Sequence, residues 1–137
     1  MKLHLAPLPG AARRARSCVR LLLDGVPGLD VPASTVEVLD LLLTEVVTNA
    51  VRHGTVRETL TLTVTASPDE VTVGVGDDNP APPLVLDPPP EALGGRGMQL
   101  VDRLADAWGV DERADGKDVW FRLELREGTA ELEALAG

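Results

Sequence analysis

The run "ETLTLTVTASPDEVTVGVGD", residues 58–77, constrains the fold more than any other part of the chain. Leu60, Leu62 and Val64 alternate with threonines, and Val71, Val73 and Val75 repeat the pattern after "SPDE". Period-two alternation on both sides of a turn-forming tetrapeptide predicts a β-hairpin with one apolar face. That face must be covered by another layer. The alternation runs on to Asp77, whose carboxylate is therefore expected to point the same way as the valines. A charge placed there needs a partner.

Helices supply the cover. "AARRARSCVRLLLDG" carries Ala15, Val19, Leu22 and Leu23 as an apolar stripe beneath arginines, and "VPGLDVP" breaks it. A second helix is expected from Ser34, where "STVE" reads as a capping box with Glu37. Val36, Leu39, Leu43, Val46 and Ala50 then form one buried face, and Gly54 is placed as the terminating glycine. Residues 79–93 contain six prolines and read as a stiffened loop. "GGRGMQLVDRLADAWGV" is expected to become a helix with Leu100, Val101, Leu104 and Trp108 inward. "KDVWFRLELRE" reads as a last strand, and "GTAELEALAG" as a weak helical or frayed tail. The expected order is two helices, two strands, a loop, a helix and a strand, after a short extended start. It predicts a two-layer α+β sandwich: a mixed, antiparallel-rich sheet with helices on one face. Residues 1–125 form the domain and 126–137 the tail.

Composition narrows the function. Net charge is −9, with 22 acidic against 13 basic residues, which disfavours binding to phosphate backbones. The only aromatics, Trp108, Trp120 and Phe121, offer no base-stacking platform for single strands. No direct nucleic-acid partner is expected, and any phosphate ligand should be small. No apolar run approaches the roughly 20 residues of a membrane span. "MKLHLAPLPGAARRARS" has its apolar residues ahead of its positive cluster, the reverse of a secretory leader. Cys18 is the single cysteine, which excludes an internal disulfide and reads as a small buried residue. The expectation is a soluble cytoplasmic domain without membrane contact.

Three groups of residues carry possible chemistry. In "TEVVTNAVRHG", Glu45, Asn49 and His53 recur at steps of four and share one helix face. An asparagine oxygen is a hard neutral ligand suited to Mg²⁺, and a carboxylate one turn away can accept a hydroxyl proton. The same spacing also fits a solvated polar face, and His53 fits a contact with the helix C-terminus. Asp77 can accept a hydrogen bond from the exocyclic amine of adenine, or can belong to the turn chemistry of "DDNP". "GGRG", Gly94–Gly97, allows backbone amides and Arg96 to approach phosphate at a helix N-terminus, or is a flexible turn.

In combination, "ExxxNAxxHG", a strand ending in Asp77, a short loop, "GGRGMQLVD" opening a helix and "GKDVWF" on a final strand resemble one family. It is the ATP-binding fold of the gyrase, histidine-kinase and mismatch-repair ATPase superfamily. More narrowly, the chain looks like the small single-domain anti-sigma factor serine/threonine kinases of Gram-positive bacteria, with a composition compatible with an actinobacterial member. The resemblance covers about residues 10–125. It implies ATP and Mg²⁺ as cofactors, Asn49 as the metal ligand and Glu45 as general base. Arg52 and His53 would lie beside the nucleotide and Asp77 would read the adenine amine. Gly95, Arg96 and Gly97 would hold the phosphates, with Met98 closing the nucleotide-contacting run. The implied partners are a sigma factor and an anti-sigma antagonist protein, the latter phosphorylated on serine or threonine, with a possible homodimer. A catalytically silent ATP/ADP-gated binding module is the alternative. Two departures stand out: "DDNPAPP" replaces the family's glycine-x-glycine after the aspartate, and the lid, Pro80–Leu93, is short and proline-loaded.

Overall fold

The computed structural model describes residues 1–53, 59–78 and 96–125. The elements run β1 (Lys2–Leu5), α1 (Ala11–Asp24), α2 (Ala33–His53), β2 (Leu60–Ala66), β3 (Glu70–Asp77), α3 (Arg96–Leu104), β4 (Ala107–Arg113) and β5 (Gly116–Glu124). The strands form one five-stranded sheet in the order β1-β2-β3-β5-β4, and every pairing among the described residues is antiparallel.

The expected hairpin is β2–β3, with Val64 opposite Val73 and Leu62 opposite Val75. Ser67 organises its turn: its amide donates to the Glu70 carbonyl at 2.9 Å, and its Oγ accepts from the amides of Asp69 and Glu70 at 3.3 Å each. One face of the sheet is sealed. Leu60, Leu62, Val64, Val71, Val73, Val75, Phe121 and Leu123 are buried there, against Val19, Leu39, Leu42, Leu43, Val46 and Val47 of the helices. Each such side chain withdrawn from water is worth roughly 1.5–3 kcal/mol. The other face is open: Thr63 and Thr65 are exposed, and Thr61, Thr72 and Trp120 are half-buried.

The helices are joined by polar stitches as well as by leucines. Arg16 of α1 donates to Thr44 Oγ1 of α2 at 2.6 Å, and that hydroxyl donates to the Asp40 carbonyl at 2.8 Å. Arg20 adds an ion pair with Asp40. The amide of Gly25 bonds the carbonyls of Leu21 and Leu22, which closes α1. α2 starts one residue earlier than "STVE" implies, because the Pro32 carbonyl accepts from Val36 and Ser34 falls inside the first turn.

One expected element is corrected. The helix after "GGRG" stops at Leu104, which is 42% exposed, and Trp108 belongs to β4 instead. Leu100, Val101, Leu104 and Trp108 do fit helical spacing. However, Trp108 and Val110 also fit period two, and pairing with β5 decides between them: Trp108 lies opposite Phe121 and Val110 opposite Val119. Arg113 pairs with Gly116 across the two residues Ala114 and Asp115, a tight hairpin. Asp106 enforces the break, since its amide donates to the Arg122 carbonyl and its Oδ2 accepts from the Glu124 amide at 2.7 Å. The short extended start likewise becomes β1, with Leu3 opposite Leu62 and Leu5 opposite Leu60. Gly54, the lid and the tail lie outside the described residues.

Candidate functional site

Connectivity sets which end of the sheet each helix serves. Thr61 pairs with Gly76, so β2 begins at the sheet end where β3 finishes in Asp77. Only residues 54–59 separate the end of α2 from Leu60, and six residues reach at most about 20 Å. The end of α2 is thus tethered by a short connection to the start of β2, at the Asp77 end of the sheet. α3 finishes at Leu104, three residues before Ala107, which pairs with Arg122, itself opposite Thr72 toward the far end of the sheet. α3 packs on α2, and α2 packs on β3.

Within that frame Glu45 and Asn49 are both half-buried, on the flank of a helix whose Val46, Val47 and Ala50 are buried. Arg52 is exposed. Met98 is 1% exposed and packs into the core, in the first turn of α3. Gly95 and the side chains of His53, Arg96 and Gly97 lie outside what is described, although Arg96 and Gly97 open the helix.

Asp77 is the most constrained site residue. It is 2% exposed and, as the alternation predicts, faces the helices with Val71, Val73 and Val75. Its partner is Lys117, directly across on β5, whose Nζ donates to Oδ1 at 3.1 Å. Lys117 is itself 3% exposed. A buried ion pair of this kind is costly to break, because either partner left alone is an uncompensated charge. The backbone of Asp77 is gripped separately: Arg113 Nη2 donates to its carbonyl at 2.9 Å, while Nη1 of the same guanidinium meets Asp118 Oδ2 at 2.6 Å. The hydrogen bond it donates to Asp118 is the largest influence pushing the Arg113 guanidinium above its ordinary range.

Two glycines make room for this network. A Cβ on Gly116 would lie 2.0 Å from the Asp77 carbonyl oxygen, and a Cβ on Gly76 would lie 2.4 Å from Asp118 Oδ1. Lys117 was not foreseen as a site residue. The signal was present: it is in phase with Val119, Phe121 and Leu123, an inward lysine on the strand that pairs with an inward aspartate.

A concavity of about 660 Å³ lies on the opposite, open face of the sheet, lined by Thr61, Thr63, Gly74, Asp118 and Trp120 among others. The residues with matched chemistry are on the helix side, and volume alone does not draw the site away from them. Among the described residues no three His, Cys, Asp or Glu side chains gather as a metal cage would require.

The sequence matches the histidine kinase-like ATPase domain over residues 5–123. The chain belongs to that family. In three dimensions it is similar to the structure of the RsbU and RsbW domains of Rv1364c from Mycobacterium tuberculosis, with a TM-score of 0.65 and 21% identity over 91% of this chain and 32% of the other. It is also similar to the blue-light activated histidine kinase EL346 of Erythrobacter litoralis. The histidine kinase domain of that protein gives a TM-score of 0.54 and 26% identity, covering 88% of this chain and 62% of that one. A second structure of EL346 gives 0.56 and 29%, covering 90% and 43%. The histidine kinase-like domain thus spans between about a third and three-fifths of these solved chains. A search of the curated proteins found no match.

Proposed function

We propose that this domain is an ATP- and Mg²⁺-binding regulatory serine/threonine protein kinase of the anti-sigma-factor kind. It would bind a sigma factor, phosphorylate an antagonist protein and work as a homodimer. The observation that carries the reading is Asp77: a carboxylate buried inside the helix-facing layer, at the sheet end where β3 finishes and where β2, joined to α2 by residues 54–59, begins. A carboxylate held in this layer is chemically suited to accept from an exocyclic amine. The motif order and the RsbW domain named in the Mycobacterium tuberculosis structure support the narrower, anti-sigma assignment.

The residues present fit the group. Asn49, half-buried and neutral, would hold Mg²⁺ with waters and phosphate oxygens completing its shell. Bound ATP would supply the transferable phosphoryl group. Glu45, one helical turn before Asn49, would accept the proton of the substrate hydroxyl as its oxygen attacks. The amides opening α3, with Gly95, Arg96 and Gly97, would neutralise phosphate charge, and Arg52 and His53 would border the nucleotide. Met98 would contribute from the core side, by holding the first turn of α3 in place.

The net charge of −9 disfavours a phosphate backbone as partner, and no described helix is long and apolar enough to cross a membrane. The test is thermal unfolding with and without Mg²⁺·ATP. A ligand that binds only the folded chain raises Tm, by about 2.7 kcal/mol of stabilisation at a hundred times its Kd. No rise sinks the nucleotide reading. Asn49→Ala should abolish the Mg²⁺-dependent part of the shift. Glu45→Ala should keep the shift but lose phosphate transfer to a co-encoded antagonist. A wild type that binds ATP and transfers nothing is a nucleotide-gated binding module instead.

A further inference from the structure

We propose that Lys117 is a positioning residue that sets base selectivity at this site, so that recognition of a 6-amino purine belongs to the Asp77–Lys117 pair and not to Asp77 alone. The inference rests on the nucleotide reading above and deepens it. A carboxylate accepts hydrogen bonds and cannot donate, so it favours an amine over a carbonyl at the 6-position of the base. A carboxylate that turns away from the base cannot express that preference, and one buried without a counter-charge is left uncompensated. Lys117 meets both needs by placing its nitrogen 3.1 Å from Asp77 Oδ1, with both side chains sealed from solvent.

The pairing is built into the sheet. Asp77 and Lys117 are register partners at the end of the β3–β5 ladder and point to the same face. Gly116 permits the close approach that brings them level, because any side chain there would strike the Asp77 carbonyl. Arg113 fixes the same residue through its backbone, so the carboxylate can swing only about its own side-chain torsions. Lys117 restrains those.

The experiment measures binding of Mg²⁺·ATP and Mg²⁺·ITP, which differ in the 6-substituent, to the full chain by calorimetry. Wild type is expected to prefer ATP at least tenfold, the scale of a site built around one charged hydrogen bond. Lys117→Met, which keeps the apolar stem, should cut the preference to about threefold or less, mainly by weakening ATP. Lys117→Arg should keep it. A folded Lys117→Met that retains the wild-type ratio overturns the role of Lys117 and leaves the nucleotide site standing. Wild type that binds neither nucleotide overturns the site and this inference with it. Should Lys117→Met fail to fold, ¹⁵N spectra of the wild-type lysine ammonium groups decide. The Lys117 signal should move differently on saturation with ATP and with ITP, and equal movement refutes the proposal.

Discussion

Gly116→Ala tests the close approach on which the site depends. The new Cβ would stand 2.0 Å from the Asp77 carbonyl oxygen, 3.0 Å from its carbon and 2.8 Å from Arg113 Nη2. Ordinary contact between nonbonded heavy atoms begins near 3.5 Å, so the carbonyl must retreat by about 1 Å or more. That movement stretches the 2.9 Å bond from Arg113 beyond hydrogen-bonding range. Overpacking of this kind costs about 1–3 kcal/mol and the lost hydrogen bond about 1 more. The sum, roughly 2–4 kcal/mol, lowers Tm by about 10 °C in a domain of this size. Two other glycines calibrate the result. Gly74→Ala meets only Trp120 Cβ at 3.8 Å and should melt within a few degrees of wild type. Gly76→Ala meets the mobile end of Asp118 at 2.4 Å and should fall between the two. Circular dichroism melts of the three variants suffice. A Gly116→Ala protein that melts within 2 °C of wild type, or a Gly74→Ala protein equally destabilised, refutes the steric reasoning.

Phe121→Ala removes the largest fully buried side chain, at 0% exposure, and should cost about 3–5 kcal/mol in urea unfolding. Arg113→Met leaves the Asp77 carbonyl without this donor and should cost about 1 kcal/mol, most of it from that bond, because the Asp118 pair is some 40% exposed and screened. The folded-state affinity of Arg113 for its proton is raised, so its stabilisation is complete below the unfolded value and is lost only as pH rises through the folded one. Since both lie in strong alkali, the difference between wild type and Arg113→Met should stay constant from pH 6 to pH 9. Asp77→Asn should reduce the preference for ATP over ITP while leaving the Mg²⁺ requirement intact, as read by calorimetry.

The hairpin and both long helices could be read because each carries an unbroken period over many residues: Leu60 to Val75 at two, Val36 to Ala50 at three and four. β4 could not, because two apolar residues, Trp108 and Val110, suit either period and only the partner strand chooses. β1 is four residues long, too short for a pattern, and it is defined by Leu60 and Leu62 across the ladder. In the site, the burial of Asp77 followed from phase alone. Its partner did not, because phase gives a residue's face but not its neighbours. The order β3-β5 in the sheet, which brings Lys117 alongside, is a tertiary fact.

The β4–β5 hairpin grips Asp77 from both sides of the sheet, by a lysine among the helices and an arginine on the open face. Only its outer strand, β4, is an edge of the sheet; β5 lies between β3 and β4 and carries Val119, Phe121 and Leu123 of the core. The two grips on Asp77 therefore differ in durability, since local opening of β4 would release Arg113 while Lys117 stays in place. The amides of β4 should be the ones whose hydrogen exchange slows most when nucleotide binds. The backbone half of the grip on Asp77 then hangs on how long one outermost strand stays paired.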